Sequence, residues 1–496
     1  MSDLPPPLKP FITVQDAIHG RIWLTELEQT LVNTPEFQRL RHISQLGLAN
    51  FVFPTATHSR LAHSLGATHV MGWMLRQPSL QTYFKDREKL IPLLRLAALL
   101  HDLGHYPFSH LGENVYGAIA YGAFDEYGEG RDLSVFDTAA QARRHADASH
   151  ELLTADVIRN TRLGEIIDKA LGTFEERPAR EVLIDIIEGT YFDSVCHSLI
   201  SSDLDCDRLD YLIRDSAAAG LAYGQVDLGY LIENLLVEEH PKYGPVLAVD
   251  LDHGYGAVEH YLHARYFHYA RFITHKTIAA AELLLAVAML ELARIGRIPT
   301  DASAIRKMVG TPNFLALTDA AIWTAMHEAR GFDLGSAELT EASASLVDRT
   351  LLKCAISLEA LESDDEEIYE HVHLDKLLGS HEQKKRVAEA AGVPIDSFCY
   401  KRATIRLTGI PARVAPKVGE VEKYEWIQTV NVARPGEEPR PAVLHRGLLQ
   451  HLSTRRWGTR RVFVREPSLD AQRKDDPAAR KNTDLLQRYL RRELAH

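Results

Sequence analysis

Four residues whose types suit metal chemistry stand far apart in the chain. They are His63 in SRLAHSLG, the dipeptide His101-Asp102 closing the run LIPLLRLAALLHDLGH, and Asp207 in SSDLDCDRLDY. Two imidazoles and two carboxylates make a mixed nitrogen and oxygen donor set, suited to one divalent transition ion (Fe, Mn, Zn or Ni) with positions left for water and substrate. The Leu and Ala run before His101 must be buried, so the polar pair at its end needs partners, because unpaired burial costs about 1–3 kcal/mol per group. A divalent cation satisfies both at once. A helix-end cap with an ordinary hydrogen bond is the plainer account of the dipeptide taken alone.

The neighbouring spacings extend this chemistry. With Ser59 as N-cap, Arg60 and His63 fall at i and i+3 on one helix face and set a guanidinium beside the ion. Arg208, Tyr211 and Asp215 share a stripe next to Asp207. His105, His110 and His150 follow the dipeptide, and imidazoles with a reference pKa of ~6.5 serve as acid or base near neutrality. Arg265, Arg271, His275 and Lys276 lie in the aromatic-rich stretch HARYFHYARFITHK, a composition suited to a polyanion such as a triphosphate. Solvated helix faces and structural histidines are the competing readings of these residues.

The elements that must position these groups are mainly helical. The Pro-rich residues 4–10 read as an extended arm, with order from Phe11. Apolar spacing of period 3.6 runs from Thr34 to about Ile295. It predicts helices at 59–77, 90–103, 149–159, 180–188, 200–216, 226–236 and 256–295, the last one broken or bent. Residues 301–362 continue in the same vein, with a break at Gly310 to Pro312. Segments 402–408, 424–432 and 461–465 are β-branched or aromatic and predict strands of a smaller mixed α/β lobe. The expected layout is an arm over 1–11, a helical domain over 12–364 and a basic lobe over 365–496.

With 496 residues, 45% hydrophobic and 25% charged, the chain falls among ordinary folded proteins and not among disordered, collagenous or membrane-bundle ones. Its apolar stretches, such as 278–290, fall short of the ~20 residues a span needs, and the N-terminus has no signal-like apolar core, so a cytoplasmic protein without membrane partners is expected. Four scattered cysteines with no Cys-x-x-Cys pair point to reduced thiols. Net charge is -12, but the last 96 residues hold 21 Lys+Arg against 11 Asp+Glu. That basic segment suits anions, and nucleic-acid contact is its less favoured use.

The set His63, His101-Asp102, Asp207 resembles the H…HD…D pattern of the HD-domain metal-dependent phosphohydrolases. The stretches TPEFQRLRHISQLG, FPTATHSRLAHSLG, LLHDLGHYPFSH and DCDRLDYLIRD are similar to its dNTP triphosphohydrolase branch, in registered order over roughly residues 12–290. The resemblance implies a mainly α HD-domain core with a smaller C-terminal lobe, and hydrolysis of a dNTP to deoxynucleoside and inorganic triphosphate. It makes His63, His101, Asp102 and Asp207 the metal ligands, and His105 and His150 the proton-transfer groups with His110 in support. It places Arg60, Arg208 and Arg265 on phosphates, and Gln45, Tyr211 and Asp215 at the sugar. It also implies a homo-oligomer, dimer or tetramer, with further Mg²⁺ on the nucleotide phosphates. No SAM domain is expected before residue 12.

Three positions depart from the vertebrate members: Arg208 replaces a lysine, Ile273 replaces a tyrosine near the sugar, and a nucleotide-activator site that keeps Gln38 and Arg41 has Asn33 and Ile12 in place of a carboxylate and a lysine. Hydrolysis without an activator, or activation by a nucleotide other than a guanine one, follows. Two other functions suit the same scaffold: a phosphohydrolase of another nucleotide, such as a nucleotidase or a hydrolase of a modified or signalling nucleotide, and a nucleotide or nucleic-acid sensor.

Overall fold

The structure is a computed structural model that describes residues 5, 8–120, 148–174, 176–332, 334–363, 368–406, 428–444, 449–450, 455–466 and 481–495. Its helical body is built on the helices Arg60–Leu75, Leu90–Leu100 and Cys206–Ala219. All of Leu90–Leu100 except Pro92 is buried, as its uninterrupted Leu and Ala demand. Its one charge, Arg95, is held in the core by Glu28 through a bidentate pair at 2.6 and 3.0 Å and by the Thr68 and Trp23 carbonyls at 3.1 Å. A hairpin, Ile12–Asp16 with Gly20–Leu24, precedes the helices and carries Asp16 and His19 to the Cys206–Ala219 helix. Among the described residues no helix is long and apolar enough to cross a membrane.

The predicted 256–295 helix is broken, as expected, into Tyr255–Phe267, a π-helical stretch His268–Ile273, and Lys276–Arg294. The wider turn rotates His268 and Tyr269 toward the Cys206–Ala219 helix, where they meet Asp215 and Tyr211. The predicted 200–216 helix is instead two, Ser194–Ile200 and Cys206–Ala219. Between them the Ser- and Asp-rich SSDLD segment turns, and the Asp205 carboxylate caps the second helix by accepting from Arg208 N at 2.7 Å. Ser59 occupies the N-cap of Arg60–Leu75 with extended backbone, but its side chain makes no capping bond. The helix start is pinned by Arg60 N donating to Ile43 O at 2.9 Å.

The helical reading of 301–362 holds as far as the helix Ala337–Val347 and then fails, because Lys353–Ser363 is a strand. The Ala, Leu and Glu of this segment favour a helix locally, and pairing in a sheet overrides that preference. Arg455–Val464 lies between Lys353–Ser363 and Phe398–Arg406, antiparallel to both. One face of this sheet, through Ile356, Tyr400 and Val462, packs with Leu374, Val387 and Leu486 of three helices; the other sets Cys399 and Phe463 against Ala279, Ala280 and Leu283. The mixed α/β lobe is thus present, and its sheet takes its first strand from before the 364/365 boundary. Of the predicted strand 424–432, residues 424–427 lie outside the described residues, and Asn431–Ala433 runs parallel to Gly244–Asp250 in a sheet of the helical body. Leu235–His240 is a strand of that sheet, so the predicted 226–236 helix is confined to Leu228–Glu233. Cys196, Cys206, Cys354 and Cys399 are free thiols.

Candidate active site

The helices bring the four distant ligand candidates together. Asp207 Oδ1 lies 2.9 Å from His63 Nε2 and 3.8 Å from His101 Nε2, while Asp102 lies 3.3 Å from His101 Nε2 and 3.8 Å from His63 Nε2. Both Nε2 atoms are buried without a hydrogen-bond partner of acceptable geometry. Each ring is instead held from behind. His63 Nδ1 meets Asp210 Oδ2 at 2.8 Å, and His101 Nδ1 meets the Ala98 carbonyl at 3.0 Å. Two orphaned imidazole nitrogens facing two carboxylates form a pocket whose donors fit one transition ion, and carboxylate or carbonyl support behind a ligating histidine fixes its tautomer and aim.

Asp210 is the residue that sequence spacing passed over. It is fully buried, accepts from Arg214 Nε at 2.8 Å and Nη2 at 3.0 Å, and contacts His19 Nε2 at 2.7 Å. Arg214 is itself tied to Asp16 at 2.8 Å. Burial alone would favour the neutral acid, but Arg214, His19 and His63 hold the Asp210 carboxyl well below its usual range. The network fits because residue 66 is glycine: a Cβ there would stand 2.0 Å from Asp210 Oδ1 and 2.2 Å from Arg214 Nη2. The signal was in DRLDYLIRD, where Asp210 and Arg214 stand one and two turns along the helix from Asp207.

Asp102 is also held as a carboxylate well below its usual range, against the cost of burial, by Arg60 and by the histidines beside it. Arg60 Nη1 donates to Asp102 Oδ2 at 2.9 Å and its Nε to Ser109 Oγ at 2.8 Å. Phe108 and Ser109 both have positive φ, 59° and 58°, a costly conformation outside glycine that concentrates at functional sites. It is stabilised by Phe108 N donating to Asp319 at 2.6 Å and Ser109 Oγ to Ser44 O at 2.6 Å.

His105, His110 and His150 form one cluster. His105 stacks on His150 at 4.0 Å between centroids and meets His110 edge-on at 5.0 Å, and its Nε2 lies 3.0 Å from Asp102. Glu113, unforeseen at i+3 from His110, joins His110 Nδ1 at 3.0 Å to His150 Nδ1 at 3.2 Å. Gly104 permits the approach of the His150–Asn160 helix, since a Cβ there would stand 2.3 Å from the His150 carbonyl oxygen. Burial, Arg60 and His150 push His105 well below its ordinary pKa. His150 goes the other way: burial opposes its charge, but Glu151 and Glu113 raise it to about 9. A neutral imidazole thus stacks on a protonated one.

Gln45, Arg60, Tyr211, Asp215, Asp207 and His110 line one cavity of about 190 Å³. Gln45 N donates to His58 O at 3.0 Å, which sets Gln45 beside the Arg60 helix start. Both oxygens of Asp215 are engaged, by His58 Nε2 at 2.9 Å and His268 Nε2 at 3.0 Å, and the hydroxyls of Tyr211 and Tyr269 are 3.1 Å apart. Arg208 and Arg265 are not among the residues lining this cavity; Arg208 pairs with Asp205, and Arg265 with Asp203 at 2.6 Å. Arg271 points away to Glu359 at 3.2 Å, and His275 caps the following helix by accepting from Thr277 N.

Residues 60–187 match the HD domain family. The chain is 30% identical over 281 residues to an uncharacterized protein of Methanocaldococcus jannaschii, covering 56% of this chain and 49% of that one. It is 32% identical over 219 residues to the deoxynucleoside triphosphate triphosphohydrolase SAMHD1 of Xenopus laevis, 42% of this chain and 34% of that protein. The chain spans about half the length or less of these curated relatives. A hypothetical protein of Aquifex aeolicus has the same fold, with TM-score 0.65, 24% identity, and coverage of 97% of this chain and 99% of that chain. The matched segment carries His63, His101, Asp102 and the histidine cluster described above; residues 60–187 thus match an HD domain, and part of the chain is similar to the dNTP triphosphohydrolases.

Proposed function

We propose that the chain hydrolyses deoxynucleoside triphosphates to deoxynucleoside and inorganic triphosphate, using one divalent transition ion held by His63, His101, Asp102 and Asp207. The observation that carries this reading is one cavity in which Asp207 of the ligand set adjoins Arg60, Gln45, Tyr211, Asp215 and His110. A cation, a phosphate-binding guanidinium and sugar-facing polar groups then share a single space. When bound, the ion supplies Lewis-acid polarisation of the phosphoryl group and lowers the pKa of nearby water.

The chain's own residues do the remainder. Arg60 is anchored to Asp102 and Ser109, so its charge is preorganised toward the α-phosphate and costs no reorganisation as negative charge builds on the leaving triphosphate. Of the three histidines only His110 lines the cavity, and its side chain is 56% exposed. His110 is therefore the group that meets the sugar oxygen, and His150, charged and bridged to it through Glu113, supplies the proton reserve behind it. Asp215, held by two imidazoles, presents a fixed acceptor edge to the sugar. Arg208 and Arg265 reach a triphosphate by leaving Asp205 and Asp203. Homo-oligomeric assembly, a cytoplasmic setting and Mg²⁺ on the phosphates accompany this reading, as does a nucleotide activator near Gln38 and Arg41, which bond each other at 3.0 Å on the surface.

Incubation of the metal-loaded protein with each dNTP tests the proposal. Tripolyphosphate with deoxynucleoside is the expected product pair. Release of orthophosphate or pyrophosphate instead assigns the scaffold to another nucleotide hydrolysis.

A further inference from the structure

Three of the cavity's polar groups come from three separate segments, and one carboxylate outside those segments joins them. Gln45 follows Ser44, Arg60 follows Ser59, and His110 follows the Phe108-Ser109 turn. Asp319 Oδ2 accepts from Ser44 N at 2.9 Å and from Ser44 Oγ at 2.6 Å, and its Oδ1 accepts from Phe108 N at 2.6 Å. Ser44 is in turn bridged antiparallel to Ser59. We propose that Asp319 is a positioning residue for the reaction, clamping the three segments so that Gln45, Arg60 and His110 share one space. The inference rests on the reading of that space as the nucleotide site.

The bonding pattern requires a carboxylate. Donors approach both oxygens of Asp319, which an amide with its single acceptor oxygen cannot satisfy, and bonds to an ionised acceptor are stronger than neutral ones. The clamp reaches Arg60 through one further residue: Ser109 Oγ donates to Ser44 O at 2.6 Å and accepts from Arg60 Nε at 2.8 Å. It also accounts for the backbone. Positive φ at Phe108 and Ser109 persists only where the surroundings over-determine it, and the bond from Phe108 N to Asp319 is one such constraint.

Asp319 is itself held firmly. It opens the Asp319–Gly331 helix, whose N-terminus favours negative charge. Arg39 fixes the approach to that helix, with Nε 3.1 Å from both the Phe314 and Leu317 carbonyl oxygens and Nη2 2.9 Å from the latter. One turn along, Trp323 meets Phe108 edge-on at 6.0 Å. The metal ligands His63 and His101 are supported elsewhere, by Asp210 and the Ala98 carbonyl. Metal binding and phosphate handling therefore separate at Asp319.

Asp319→Asn in the full chain tests this, with metal affinity, tripolyphosphate affinity, dNTP hydrolysis and amide hydrogen exchange measured on one preparation. Unchanged metal affinity is expected, with tripolyphosphate binding about tenfold weaker and kcat/KM about 10–100-fold lower. Exchange should quicken over residues 43–45 and 106–110. In an Arg60→Gln background the substitution should add little to the loss of tripolyphosphate binding, because it acts through that guanidinium. A misfolded variant would instead lose metal and tripolyphosphate together. Such parallel losses overturn the proposal, as do additive losses with Arg60→Gln or unaltered exchange over 106–110. A wild-type chain that hydrolyses no dNTP refutes the nucleotide reading instead, and the exchange data then decide the clamp alone.

Discussion

Gly66 sits inside the Arg60–Leu75 helix, where Ala is normally better by about 1 kcal/mol because glycine loses more backbone freedom. Here the sign reverses. An added methyl would stand 2.0 Å from Asp210 Oδ1, 2.2 Å from Arg214 Nη2 and 2.7 Å from Asp210 Cγ, so Gly66→Ala must push the Asp210 carboxylate off His63. Overpacking costs about 1–3 kcal/mol, and a buried bond to a charged group contributes about 1.5–3 kcal/mol. Less the propensity gain, the net loss is about 1.5–5 kcal/mol. His63 also loses the support that aims its Nε2, and such a loss weakens metal binding about 10–100-fold. The assay is thermal unfolding of the metal-free chain together with metal affinity measured by chelator competition. Gly117→Ala is the control: it too lies in a helix, and its added Cβ meets nothing within 4 Å, so it should be neutral or slightly stabilising. If Gly66→Ala matches Gly117→Ala in both readouts, the close approach of the two helices is not what orients His63.

Three further outcomes follow from the same geometry. Asp210→Asn keeps size but withdraws the carboxylate from His63, His19 and Arg214, so metal affinity should fall about 10–100-fold while the far-ultraviolet circular dichroism is preserved; unchanged affinity would show that Asp210 does not position the ligand. Arg95→Ala strands Glu28 in the core and should cost about 3–5 kcal/mol, whereas Arg95→Met with Glu28→Leu recovers most of it; equal losses in the two variants would refute a charge origin. The third concerns pH. His150 is raised from 6.5 to about 9, so its contribution to stability is complete below 6.5 and is lost as pH rises through about 9. Glu113 is lowered from 4.5, so its share is complete above 4.5 and is lost only as pH falls through its depressed folded value. The Tm gap between wild type and Glu113→Gln should therefore be fully open between pH 4.5 and 6.5 and narrow toward pH 9, and a gap constant from pH 6 to 10 would contradict the pairing.

The ligand residues were legible because each sits at a pattern boundary: the end of an apolar run, the first turn of a helix, a cluster of Asp after a Ser pair. The residues behind them were not. Asp210, Arg214, His19 and Asp16 join in one network only after a hairpin and a helix nearly 200 residues apart have packed together, and no local period encodes that meeting. His58 and His268 reach Asp215 for a similar reason, the second one through a π-helical turn that periodicity marks only as a break. In the lobe, the β-branched and aromatic residues at 461–465 read as a strand, the end of Arg455–Val464, while Lys353–Ser363 carries helix-favouring Ala, Leu and Glu and is fixed as a strand by its partner. Arg208 and Arg265 matched the expected pattern by position, yet they turn toward the buried carboxylates of Asp205 and Asp203, since a half-buried guanidinium takes the nearest carboxylate.

The most direct test of the account is anomalous scattering from crystals of the purified, metal-loaded protein. One transition ion per chain is predicted, at about 2.0–2.2 Å from the Nε2 atoms of His63 and His101 and from oxygens of Asp102 and Asp207, and absent from Asp207→Ala. An ion seated instead among His105, His110, Glu113 and His150, whose donor atoms lie within 4.8 Å of one another, or no bound ion in a folded chain, would contradict it.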